Sequence, residues 1–231
     1  MKRITSGIET LDNALNGGIP SPFITVIAGE PGTGKTTFVM QLLFRNMQKL
    51  LSEQNPLNKT IGLYMAPVAE PLPQIQRLMS QFEFFDESLI KSGQILFCDF
   101  PMSVRRQPSF FSYIIRTELE KHKPKVAVID PISFIEIATD NKSNYRELIY
   151  DVSLQAKRLD INLIITTEIS RTHILDDMLS YLADGIIVLS YRNDSIGQHK
   201  TLEILKMRGT PYKSGPYEIN IAQKGFTIRQ K

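Results

Sequence analysis

The stretch Gly29-Glu30-Pro31-Gly32-Thr33-Gly34-Lys35-Thr36 constrains this chain more than any other, because it fits the pattern G-x-x-x-x-G-K-[ST]. An apolar run at 23–28 precedes it, and a helical pattern opening Phe38-Val39-Met40-Gln41-Leu42-Leu43 follows it. Strand, loop and helix in that order is the setting in which such a loop holds phosphate. The glycines let the backbone curl so that successive N–H groups point inward. The helix start adds unpaired amides and the positive end of its dipole. The residues from Gly29 to Thr36, with Thr37 behind them, are therefore expected to bind a nucleotide. Lys35 is expected to reach the β- and γ-phosphates, and the Thr36 hydroxyl to ligate Mg²⁺.

The rest of the chain supplies a matching frame. Apolar runs at 23–28, 60–65, 94–98, 126–130, 162–167 and 185–189 alternate with helical patterns at 35–51, 72–82, 109–122, 144–159 and 175–182. Val39, Leu42, Leu43, Met47 and Leu50 keep helical spacing, as do Phe110, Phe111, Ile114, Ile115 and Leu119. Continuous apolar strands between helices predict an α/β fold with a mostly parallel sheet covered on both faces. The last forty or so residues differ: short strands at 200–207, 217–222 and 226–229, separated by Gly and Pro turns, predict an antiparallel extension. With no linker, repeat or low-complexity segment in view, residues 1–231 read as one domain.

A phosphate loop needs a second acid for its metal. Val126-Ala127-Val128-Ile129-Asp130 is an apolar strand ending in a carboxylate, so Asp130 is the expected partner of Thr36 at Mg²⁺. Hydrolysis also needs a group that orients or deprotonates water. In Tyr64-Met65-Ala66-Pro67-Val68-Ala69-Glu70-Pro71 only Glu70 is available, either as that base or as a surface carboxylate in a turn. Thr166-Thr167-Glu168 ends another apolar strand, where ligands of α/β sheets sit. Thr166 or Thr167 suits a γ-phosphate sensor, with Thr167 assigned to the nucleotide and Glu168 a second acid; strand-end capping is the competing role. Tyr191 is a candidate to stack on adenine.

Bulk properties exclude several classes. The chain has 231 residues, 27 basic and 24 acidic, for a net charge of +3, too mild a balance to argue for nucleic acid. Its one cysteine, Cys98, rules out an internal disulfide framework, and His122, His173 and His199 lack metal-ligand spacing. The opening Met1-Lys2-Arg3-Ile4-Thr5-Ser6-Gly7 lacks an apolar core, and no apolar run approaches the roughly 18 residues of a membrane span. A cytoplasmic protein without a membrane segment is expected. No N-K-x-D base-specificity motif is present, which leaves ATP as the default nucleotide.

Three stretches carry a resemblance over almost the whole chain. They are Ser6-Gly7-Ile8-Glu9-Thr10-Leu11-Asp12 with Leu15-Asn16-Gly17-Gly18-Ile19-Pro20 and the phosphate loop; Ile164-Ile165-Thr166-Thr167-Glu168 with Ala183-Asp184-Gly185-Ile186-Ile187-Val188-Leu189; and Leu202-Glu203-Ile204-Leu205-Lys206-Met207-Arg208-Gly209-Thr210. In these the chain resembles the RecA-type ATPases, and within them single-domain KaiC-like proteins. The resemblance implies a homo-oligomeric ring, often a hexamer, with ATP between neighbouring subunits. It implies that Lys206 and Arg208 reach the neighbour's γ-phosphate, a task that suits a planar, permanent cation. It also implies paired glutamates after the second strand. Here Val68-Ala69 stands there, or Ala69-Glu70 with one insertion, so hydrolysis is expected to be slow. Tyr212 stands where a histidine is usual. The circadian members carry two such domains, and a clock role is not implied. Two alternatives remain open. One is a DNA-binding recombinase paralogue, for which the loops around Lys142 and Arg171 offer little positive charge. The other is a non-hydrolysing accessory subunit of a larger machine.

Overall fold

The computed structural model describes residues 2–53, 60–67, 71–100, 108–139, 141–195 and 197–230. The chain opens with β1 (Arg3–Ile4), α1 (Glu9–Ala14) and β2 (Ile19–Pro20), the two strands pairing antiparallel. There follow β3 (Ile24–Gly29), α2 (Lys35–Glu53), β4 (Gly62–Ala66), α3 (Leu72–Met79), α4 (Glu87–Lys91), β5 (Ile95–Asp99), α5 (Pro108–His122) and β6 (Val126–Ile129). Next come α6 (Ser133–Ala138), α7 (Lys142–Arg158), β7 (Asn162–Thr167), α8 (Met178–Leu182), β8 (Gly185–Asp194), β9 (Gly197–Met207), β10 (Tyr217–Ala222) and β11 (Gly225–Gln230).

A nine-stranded sheet runs in the order β11-β10-β9-β8-β3-β7-β6-β4-β5. From β8 to β5 every pairing is parallel, and β9, β10 and β11 add on antiparallel. This is the α/β architecture the alternation predicts. The reason lies in the strands themselves. Every residue of β3 is buried: Ile27 meets the cluster built on α2, while Ile24, Val26 and Ala28 meet the cluster on the other face. A strand apolar on both sides is stable only between two helical layers. On one side α2 contributes Phe38, Val39, Leu42, Leu43 and Met47; on the other, α5 contributes Phe111, Ile115 and Leu119, and α7 contributes Leu148, Ile149 and Val152.

The connections position the site. The chain leaves β3 for β4, but β3 is flanked in the sheet by β7 and β8. A crevice opens beyond the carboxyl ends of strands where the order parts in this way. The outer edge of the sheet is finished by a side chain: the Gln41 carboxamide of α2 accepts from the Phe226 N–H at 2.7 Å and donates to the Phe226 carbonyl at 2.9 Å. Its nitrogen also donates to the Gly7 carbonyl at 2.9 Å, so one amide serves as partner to an edge strand and ties down the N-terminal segment.

Differences from the sequence expectation have local causes. The helix expected at 72–82 ends at Met79, after which Phe84 turns into the core. The one expected at 175–182 is split, because Asp177 is extended and caps α8 by accepting from the Leu179 N–H. Before it stands a single 3-10 turn at Ile174–Asp176. The strand expected at 185–189 continues to Asp194, since pairing with β9 outlasts the apolar pattern. Register shifts between Ile186 and Ile187, leaving Leu205 as the extra residue of a β-bulge. Among the described residues no helix is long and apolar enough to cross a membrane.

Candidate functional site

The phosphate-loop sequence forms the turn it was expected to form. Gly29 ends β3 with φ 152°, and a Cβ there would stand 2.2 Å from the Leu189 carbonyl oxygen of β8, so only glycine lets these strands come together. Gly34 has φ 104°, and a Cβ on it would meet Ile221 at 2.6 Å. Helix α2 starts directly after it, with the Phe38 N–H bonded to the Gly34 carbonyl at 2.9 Å. Thr33 closes the loop by donating from its hydroxyl to the Glu30 carbonyl at 2.8 Å.

A cleft of about 480 Å³ lies over this loop. Its walls include Gly32, Lys35, Thr36, Asp130, Glu168 and Lys200. Lys35 is only 8% exposed, and its ammonium donates to the carbonyls of Gly29 at 2.8 Å and Glu30 at 3.0 Å. Burial lowers its pKa below the ordinary lysine range, against the opposing pull of Glu168, then Asp130, then Glu30. Asp130, just past β6 and 4% exposed, accepts from the Tyr64 hydroxyl at 2.8 Å and from the Thr166 hydroxyl. Thr36 and Asp130 thus line one cleft.

The two threonines of β7 part company. Ile164 packs with the α2 cluster, and Leu163 and Ile165 with the opposite one. Alternation therefore sends Thr166 toward Asp130 and sends Thr167 to the far face, where its hydroxyl is buried without a partner among the described residues. Thr166, not Thr167, is the threonine that the fold sets against Asp130 of the cleft. Glu70, the expected base, lies outside the described residues.

Two further groups reach the loop from β8 and β9, where Tyr191 and Lys200 are cross-strand partners. Lys200 donates to the Gly32 carbonyl at 2.7 Å, and the Tyr191 hydroxyl to the Pro31 carbonyl at 3.4 Å. Tyr191, a candidate adenine stacker, here sits on the loop itself. Tyr64 and Lys200 escaped the sequence reading. A tyrosine inside a buried apolar strand was the available signal for Tyr64, because its hydroxyl needs a partner. Nothing local signals Lys200, which is 168 residues from the carbonyl it touches.

Lys206 and Arg208 lie elsewhere. Thr25 pairs with Gly185, and Gly185 with Met207, so this end of β9 is level with the start of β3. Gly29 is four residues on, about 13 Å along the strand. The bulge at Leu205 brings Ile204 and Met207 to the α2 core and turns both cations toward α8. Lys206 donates to the Ser180 carbonyl at 2.7 Å, and burial, then the adjacent Arg208, lowers its pKa below the usual lysine range. Arg208 donates to Asp184 at 3.0 Å and to the Tyr181 carbonyl at 3.2 Å. Asp184 also pairs with Lys157 at 3.3 Å and accepts from the Ile24 N–H at 3.1 Å.

Comparison with known proteins points to one family. The family model described as "ATPase: KaiC" matches residues 4–231. The circadian clock oscillator protein KaiC of Parathermosynechococcus lividus is 27% identical over 235 residues, covering 96% of this chain and 41% of that protein. The KaiC 1 protein of Synechocystis is 26% identical over 242 residues, covering 99% of this chain and 44% of that one. This chain thus spans less than half the length of these relatives. Among solved structures, a KaiC-like protein from the hyperthermophilic archaeon Pyrococcus horikoshii OT3 superposes with a TM-score of 0.82 at 25% identity, covering 99% of each chain.

Proposed function

This chain belongs to the KaiC ATPase family, and on that premise we propose that it binds Mg-ATP as a single domain in the cleft over Gly29–Thr36, at a site completed by a second copy of the chain. The observation that carries the reading is the convergence of Lys35, Thr36 and Asp130 on one cleft beyond the carboxyl ends of the parallel strands. ATP phosphates entering there would give the Lys35 ammonium a better acceptor than the two loop carbonyls it now contacts. The Thr36 hydroxyl and the Asp130 carboxylate are hard oxygen donors, which suit Mg²⁺. Among the described residues no cluster of three acids, histidines or cysteines could hold a metal unaided, so the ion would arrive with the nucleotide and keep phosphate and water ligands. Lys200 adds a positive charge to the same cleft from the β9 side.

The placement of Lys206 and Arg208 supports the second copy. They sit about 13 Å along the sheet from the end of β3, too far to serve the site of their own chain. Set against a neighbour's cleft, they would supply the charge that phosphoryl transfer requires. In this reading the assembly is a homo-oligomeric ring, its closure sensitive to ATP, and hydrolysis is slow. The test is mass in solution by light scattering with and without Mg-ATP, for the wild type, Lys35→Ala and Arg208→Ala. Wild type is expected to grow with Mg-ATP. Lys35→Ala should bind no nucleotide and stay small; Arg208→Ala should bind nucleotide and stay small. A mass unchanged by bound Mg-ATP would refute the shared site.

A further inference from the structure

We propose that Glu168 is the catalytic residue that takes the proton from the attacking water when ATP is hydrolysed in this cleft. The proposal rests on the nucleotide reading above and adds the group that its chemistry lacks. Glu168 directly follows β7, the strand beside β3, where Ala28 pairs with Thr167, and it lines the cleft together with Lys35, Thr36 and Asp130. Its carboxylate is exposed and has no hydrogen-bond or ion-pair partner among the described residues.

The other acids of the cleft are less suited. Both Asp130 oxygens already accept hydroxyl hydrogens, from Tyr64 and Thr166, and in the reading above this carboxylate serves Mg²⁺. Glu30 belongs to the phosphate loop and is not among the residues that line the cleft. A general base needs an uncommitted lone pair within reach of water beside the γ-phosphate. Glu168 has one, at the strand end nearest the loop. In the step, the water oxygen bonds to the γ-phosphorus while the bond from that phosphorus to the β,γ-bridging oxygen breaks, its electrons leaving with ADP. The water proton passes to the Glu168 carboxylate and from there to solvent. Lys35 neutralises charge on the phosphate oxygens throughout.

The experiment compares wild type, Glu168→Gln, Glu70→Gln and Lys35→Ala on the full chain, measuring Mg-ATP affinity by equilibrium dialysis on ice and the single-turnover hydrolysis rate at 25 °C. Glu168→Gln is expected to lose about 10²–10⁴-fold in rate. Its affinity should hold or rise, up to about tenfold, because one negative charge leaves the surroundings of a polyanion. A slower enzyme with equal or tighter binding is a pattern that general damage to the site does not produce. A Glu168→Gln rate within roughly threefold of wild type overturns the proposal, as does a loss of affinity that accounts for the loss of rate. So does a full loss of rate in Glu70→Gln with Glu168→Gln active. A wild type that binds Mg-ATP without turning it over overturns the proposal and leaves the nucleotide reading standing. A wild type that binds no better than Lys35→Ala overturns both.

Discussion

Exchanging Gln41 for Met removes three hydrogen bonds from the interior while keeping side-chain length. The carboxamide now satisfies the Phe226 N–H, the Phe226 carbonyl and the Gly7 carbonyl, and Gln41 is 3% exposed. Methionine offers no donor and only a weak acceptor. A buried polar group stripped of its partner costs about 1–3 kcal/mol. Both Phe226 bonds are buried, whereas the Gly7 bond is only partly so, and water can repair part of that loss. The expected destabilisation is therefore about 3–5 kcal/mol. For a chain of this size each kcal/mol shifts Tm by about 2–4 °C, which gives a fall of about 6–20 °C. The assay is thermal unfolding followed by circular dichroism, without nucleotide, because a ligand of the folded state would raise Tm by mass action. Gln48→Met is the control: its amide donates to the Phe84 carbonyl at 3.3 Å and accepts from Arg45 at 3.1 Å, both bonds only partly buried and open to repair by water, so its loss should cost about 1 kcal/mol or less. If Gln41→Met melts within about 2 °C of wild type, the carboxamide does not hold the sheet edge and the reasoning fails.

Two further perturbations read the site and its surroundings. Asp130→Asn keeps the shape of the side chain but not its charge; Mg-dependent ATP affinity is expected to fall by about 10–100-fold, to the level wild type shows in excess EDTA, and a variant that still responds to Mg²⁺ would remove Asp130 from the metal site. Burial, reinforced by Glu118 and Asp99, pushes the Cys98 thiol up to about 11. Its alkylation by iodoacetamide should therefore be slow at pH 8, with roughly one thiol in a thousand ionised, and should climb about tenfold per pH unit towards 11; a plateau near pH 9 would contradict the burial.

What the sequence disclosed, and what it hid, follows from the range of the interactions. The phosphate loop, Lys35 and Thr36 were legible because their geometry is set within one strand-loop-helix segment. Asp130 was legible because a charged residue closing a buried strand has few other places to be. Short elements were not: α1 has six residues and no side-chain cap, and α4 has five, fewer than two helical turns. Lys200 was hidden because its approach to Gly32 depends on the length and register of the β8–β9 pairing beyond Leu189, where the apolar pattern has already stopped. The choice between Thr166 and Thr167 turned on strand phase, which a run of apolar residues on both faces does not reveal. The aim of Lys206 and Arg208 turned on one extra residue, Leu205, in the bulge.

Strand β9 touches its own phosphate loop with Lys200 near one end and presents Lys206 and Arg208 just at the other. That makes the chain directional. In the assembly proposed above, the contact joins unlike patches, head to tail, and a two-fold axis cannot generate it. Each added copy fills the open cleft or engages the unmatched finger of the last and brings another of the same kind. An open row, however long, always keeps one cleft without a finger and one finger without a cleft. Only a row that meets its own beginning completes every site.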